Sequence, residues 1–232
     1  MDMFGLTPME WEALKLSLWI SFWAVSGSLP LGILTAWILA RVNFPGKGIF
    51  DGIVHLPLVL PPVVTGYMLL VLFGRKGPLG AFMRDQFGFS LAFNWKGAAL
   101  AAAVMAFPLM VRAVRLSIES VDQGFESAAR TLGARPLRVF FTVTLPLTLP
   151  GIISGMILAF ARSLGEFGAT ITFVSNIPGQ TQTLPLALYT LTQVPGGETS
   201  AMRLCVLSVG VSMVALFFSE MAARRFSKRL KG

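Results

Sequence analysis

Arg162 and Glu166 stand four residues apart inside Gly151 to Phe173, a stretch otherwise apolar and rich in small residues such as Gly155, Ala159, Gly165 and Gly168. On a helix that spacing puts both on one face, where guanidinium and carboxylate can pair. A lone charge at membrane depth costs about 2.5–3.5 kcal/mol on insertion scales, and a paired one costs less. Two roles suit such a pair. In one, Arg162 faces a translocation path and lowers the barrier for an anion, while Glu166 keeps it from holding the ion too tightly. In the other, the pair is a strut or gate that fixes packing around a pore, because a permeation site must release its ion.

Few other residues offer chemistry. The chain has one histidine, one cysteine and 11 acidic residues. It has no nucleophile elbow and no metal-ligand spacing, so Ser163 with His55 is all from which an intramembrane hydrolase could be assembled. His55 reads as an interfacial histidine rather than a ligand. Cys205, in an apolar run, reads as a packing residue and excludes an internal disulfide. A phosphate-binding loop is also missing. Lys47 follows Gly46 but precedes Gly48 rather than Ser or Thr, and Arg41 occupies the position of the first glycine. Any ATP must therefore be bound and hydrolysed by a partner, and this chain needs no cofactor of its own.

The elements that must position these residues are membrane spans. The chain has 232 residues, 54% apolar and 13% charged, with mean hydropathy +0.71, against about 25% charged in soluble domains. At about 20 residues per span, five or six crossings use most of the length and leave a single transmembrane domain over residues 1–232. The net charge of +8 comes from Lys and Arg spread between apolar runs. That pattern fits topogenic charge and lipid headgroups, not nucleic acid. Asp2, Glu10 and Glu12 precede the first run, so a cleavable signal is not expected.

The expected all-α order begins with a span over Leu16 to Ala40. A second, Gly52 to Gly74, is kinked or partly unwound by Pro57, Pro61 and Pro62. Irregular backbone at that depth must be covered by protein or line a cavity, so His55 to Pro62 is a candidate pathway segment; the alternative is a kink that only fits a neighbour. A third span covers Phe93 to Ser117, a fourth Gly151 to Phe173, and a fifth starts at Leu204. Leu184 to Gln193 is too short to cross and is expected on the outer face; counted as a sixth span, it would worsen the charge balance. Placing Arg41 to Asp51, Arg112 to Arg138 and the tail Arg224 to Lys231 inside satisfies the positive-inside rule, with the C-terminus cytoplasmic, although Arg75, Lys76, Arg84 and Lys96 then fall outside.

Between the third and fourth spans lies a charged, helix-compatible segment, broken by Gly133 and Pro136. Its pattern Glu126-x-Ala128-Ala129-x-x-x-Gly133, followed by Leu145-Pro146, resembles the EAA loop of permease subunits of binding-protein-dependent ABC importers, with Ser127 where that motif often has alanine. The resemblance implies a MetI-like permease fold with a cytoplasmic coupling loop at about residues 118–138. There Glu126, Ala128, Ala129, Gly133 and Pro136 would seat in a groove of a separate ATPase subunit. Small alanines allow close approach, Glu126 offers charge to a basic rim, and Gly133 permits the turn.

His55 to Tyr67, Ala161 to Phe173 and Ser175 to Thr183 look like the molybdate permease branch. Sulfate and thiosulfate permeases share Arg162-x-x-Gly165-Glu166 but not Leu56 to Pro62. The branch implies a homodimer in the bacterial inner membrane with two ATPase subunits. It also implies an extracytoplasmic molybdate-binding protein and alternating access for molybdate or tungstate. The rival readings are a sulfate-type oxyanion permease and a secondary transporter. The latter needs an inverted repeat, and none relates the first two spans to the last two.

Overall fold

A capping box opens the first helix. Thr7 Oγ1 accepts the Glu10 N–H at 3.3 Å and the Glu10 carboxylate accepts the Thr7 N–H at 2.7 Å. The computed structural model describes residues 7–231, excepting the side chains of 218–220 and 222–231. Asp2 and the side chains of the basic tail, on which part of the expected topology rests, therefore lie outside the described residues.

Helix α1 (Pro8–Arg41) has 34 residues, about 51 Å at 1.5 Å each, and so overshoots an apolar layer of about 30 Å. α2 (Lys47–Val59) and α3 (Pro62–Phe73) follow, meeting at 112°. Neither Pro61 nor Pro62 can donate to a continuing helical ladder, whereas Pro62 is well placed as the first residue of a new helix. The expected second span is thus two helices, bent more sharply than a proline kink. Pro57, inside α2, does not end it.

After α4 (Pro78–Phe87), Asn94 caps α5 (Trp95–Glu119) by accepting the N–H groups of Lys96 and Gly97. The short helices α6 (Gln123–Thr131) and α7 (Pro136–Val139) lead through a π-turn, Phe140–Thr144, into α8 (Leu145–Leu164). α9 (Gly168–Val174), α10 (Leu184–Thr192) and α11 (Glu198–Lys231) complete the chain. Four of the described helices are long and apolar enough to cross a membrane, and the bent α2–α3 pair makes a fifth candidate. α10, nine residues long, does not span.

α5 is the centre. Of its most apolar stretch 61% is buried, against 11% for α11. Its alanines let neighbours approach closely, as small residues do in membrane bundles. Ala98, Ala101 and Ala102 pack with Ile20 and Ala24 of α1 at one end, while Met110 lies against Gly32 farther along, so α1 and α5 run parallel. α8 runs antiparallel to α5: Gly151 fits against Ser117, and Gly155 against the Met110 carbonyl and Val114.

Two expectations change here. The helical run that carries the fourth candidate span starts not at Gly151 but at Pro136, within the segment Arg112 to Arg138 expected in the cytoplasm. The π-turn allows this. The Leu145 N–H reaches back to the Phe140 carbonyl, and this wider ladder accommodates Pro146, which has no N–H and whose ring would otherwise crowd the preceding turn. Cys205, expected in packing, is exposed on α11.

Candidate functional site

The coupling segment folds as its residues require. Asp122 Oδ1 accepts the Gly124 N–H at 2.8 Å to start α6. At the other end Gly133 takes φ +82°, its N–H donating to the Arg130 carbonyl at 2.9 Å and the Ala134 N–H to the Ala129 carbonyl at 3.1 Å. That pair of bonds is a Schellman close, which needs a left-handed residue at Gly133. Pro136, exposed, is the first residue of α7. Ala128 is exposed and Ala129 half-buried, and Phe125, Leu132 and Leu137 are exposed apolar side chains beside them.

Glu126 does not serve as the outward-facing charge expected of it. It is 8% exposed, and one carboxylate oxygen meets Arg41 Nη2 at 3.1 Å, Arg41 Nε at 3.2 Å and the Thr144 hydroxyl at 2.9 Å. Arg41 also donates to the Val121 carbonyl at 3.0 Å. The carboxylate thereby ties α6 to the end of α1 and to the π-turn at the entrance of α8. A buried carboxylate without such partners would be costly; the helix therefore presents its small and apolar residues outward, with Glu126 facing the bundle.

The second site lies where α8 stops. Glu166 is 2% exposed, with Oε2 at 2.7 Å from Arg162 Nη1. Its Oε1 accepts the Ala169 N–H at 2.9 Å, at the start of α9. The two residues do not share one continuous helical face as expected: α8 ends at Leu164, Gly165 caps it, and the Glu166 N–H turns back to the Ser163 carbonyl at 3.2 Å. The pair is a staple across a helix break, with its carboxylate at the favourable N-terminal end of α9.

This break meets the one between α2 and α3. A Cβ at Gly168 would stand 2.8 Å from Pro62 Cβ, and one at Gly66 would stand 2.6 Å from the Ala169 carbonyl oxygen. The structure thus brings together Pro61, Pro62, Glu166 and, through its ion pair, Arg162. It separates Pro57 from them: Pro57 lines an apolar groove of about 500 Å³ with Trp23 and Phe107, between α1, α2 and α5.

Sequence reasoning missed the partners of these sites. Arg41 enters there only as a charge closing the first span, and Thr144 carries no signal. A third cluster joins Arg115 to Asp51 at 3.0 Å and to Glu119 at 2.8 Å, and Asp51 holds His55 at 3.0 Å. His55 is thus a tether within α2, in line with the interfacial reading. A fourth pair, Glu10 with Arg203 at 3.1 Å, ties α1 to α11. Only the i,i+4 pairs carry a spacing signal; the rest join residues far apart in the chain.

Residues 28–231 match the model of a family described as binding-protein-dependent transport system inner membrane component. The chain belongs to that family. As a member it is similar to the molybdenum transport system permease protein ModB of Escherichia coli, 64% identical over 219 residues, covering 94% of this chain and 96% of that one. The corresponding Haemophilus influenzae protein is 56% identical, covering 96% and 97%. A bacterial alginate ABC transporter, solved with a pentasaccharide-bound periplasmic protein, superposes with TM-score 0.76 at 17% identity, covering 96% of this chain and 81% of that one. At that identity it supports the permease fold and nothing about the substrate.

Proposed function

We propose that this chain is the membrane-spanning subunit of an ATP-driven importer for molybdate or tungstate. In this reading two copies form the pathway, an extracytoplasmic binding protein delivers the ion, and two separate ATPase subunits grip the segment around α6. The observation that carries the reading is identity of 64% to a molybdenum permease over nearly both full lengths. The local geometry fits. α6 displays Ala128 and Ala129 with apolar Phe125 and Leu132, a surface that can enter a groove. Its buried Glu126 links that surface rigidly to α1 and α8.

Displacement of α6 on nucleotide binding would then be carried by the π-turn into α8, whose last turn carries Arg162. There the ion pair and the contact of Pro62 with Gly168 hold two broken helices together, suiting a gate that changes between two packings. Because the Glu166 carboxylate lies 2.7 Å from Arg162 Nη1, it offsets that charge, and Arg162 would offer a passing dianion only a weak site, which is what conduction requires. In this reading the C-terminus lies in the cytoplasm with α6.

The test is reconstitution in proteoliposomes with the ATPase subunits and the cognate binding protein. Uptake of labelled molybdate requiring both ATP and the binding protein is expected. Uptake of sulfate but not molybdate would transfer the chain to the sulfate-type reading, and uptake driven by an ion gradient without ATPase subunits would make it a secondary transporter.

A further inference from the structure

α1 and the start of the α7–α8 run enclose a groove of about 450 Å³ lined by Pro30, Leu34, Trp37, Leu137, Phe140 and Phe141, among others. That volume is in the range of pockets that hold small organic ligands, about 300–1,000 Å³. Trp37 and Phe140 form its floor, their ring centroids 5.9 Å apart, while Leu34, Leu137 and Phe141 stay 51%, 75% and 60% exposed. Pro136 also lines it, and Arg135, immediately before Pro136, and Arg138, next after Leu137 on α7, are both exposed. Among the described residues no carboxylate pairs with either guanidinium.

We propose that this groove holds an acyl chain of an anionic phospholipid from the leaflet on the α6 side, with the headgroup phosphate on Arg135 and Arg138. Within a bilayer the groove gains little by exchanging one hydrocarbon for another. An acyl chain fills the space and restores contacts an empty groove would lack, and selection falls to the arginines. Guanidinium groups are suited to that task through paired N–H donors to phosphate oxygens. A tryptophan at the floor and arginines at the edge also match the layering of a membrane interface.

Two other occupants fit less well. A second copy would favour small residues that bring helices close, and these lie instead on α5 and α8, while the groove is walled by leucine and aromatic rings. A water-soluble partner reaches the arginines, but the groove itself extends along α1 to Pro30, toward the middle of that helix. The lipid site thus lies against the same π-turn that Thr144 ties to Glu126, and an occupant would stiffen it.

The experiment is native mass spectrometry of the permease purified with its partner subunits and exposed to phosphatidylglycerol or phosphatidylcholine. Wild type should retain phosphatidylglycerol preferentially. Arg135→Gln with Arg138→Gln should reduce that preference about 30-fold, at about tenfold per 1.4 kcal/mol and about 1 kcal/mol per basic side chain near an anionic headgroup. The corresponding Lys variant should keep most of it. Leu34→Trp, which fills the groove from an exposed position, should displace either lipid from an intact complex. Equal retention of both lipids by wild type would overturn the proposal. So would release of the ATPase subunits by the Gln pair with lipid retention unchanged, which would assign the arginines to that partner. Loss of the oligomer on Leu34→Trp with unchanged lipid would assign the groove to a second copy.

Discussion

Glu126 and Glu166 are both buried carboxylates held by an arginine, yet one joins distant parts of the chain and the other joins neighbours. Glu126 reaches back 85 positions to Arg41 and forward 18 to Thr144. Glu166 takes Arg162 four positions before it and the Ala169 N–H three after. The first ties the short helix α6 to the end of α1 and to the π-turn before α8. The second holds the two sides of a broken helix in register. The same chemistry therefore builds a tie between elements in one place and a latch within an element in the other.

The comparison breaks most visibly at Glu126. Removing it by Glu126→Ala leaves Arg41 partly buried and unpaired, and cleaving a buried pair from one side costs about 3–5 kcal/mol. The expected result is a clearly lower melting temperature of the complex and loss of ATPase stimulation by the binding protein. Normal stimulation in the variant would separate Glu126 from coupling.

At the other site Arg162→Gln strands a carboxylate that keeps one backbone N–H donor, and Arg162 itself is 27% exposed. The cost should accordingly be smaller, about 1–3 kcal/mol. Assembly is expected to persist while molybdate uptake in vesicles falls. Unchanged uptake with assembled complex would remove Arg162 from both path and gate.

Gly66→Ala probes the packing of the two breaks without touching charge. Its methyl would overlap the Ala169 carbonyl, and overpacking of this kind costs about 1–3 kcal/mol. Transport should drop while ATPase docking stays normal. Gly165→Ala, where a Cβ meets nothing within 4 Å, should be well tolerated by comparison.

The smallest effect is expected from Thr144→Val, which removes one hydrogen bond to Glu126 and leaves Arg41 in place. A hydrogen bond to a charged group contributes about 1.5–3 kcal/mol, and the low end is expected because Arg41 keeps its two contacts to the same oxygen. Coupling should weaken measurably but survive; a loss as complete as that of Glu126→Ala would mean the hydroxyl, rather than the guanidinium, holds α6.

The residues themselves determined the apolar class, the proline break at Pro61–Pro62, the glycine close at Gly133, the short helix at Leu184 and the pairing of Arg162 with Glu166. Each depends on neighbours within one helical turn or on hydropathy summed over one span, which are local quantities. The tertiary structure decided that Glu126 turns inward, that Arg41 and Thr144 receive it, that Pro62 meets Gly168, and that the helix through Pro146 starts at Pro136. None of these has a spacing rule. A buried charge is satisfied by whichever group the packed helices bring within about 3 Å, and that depends on the register of α1 and α8 against α5 rather than on separation along the chain.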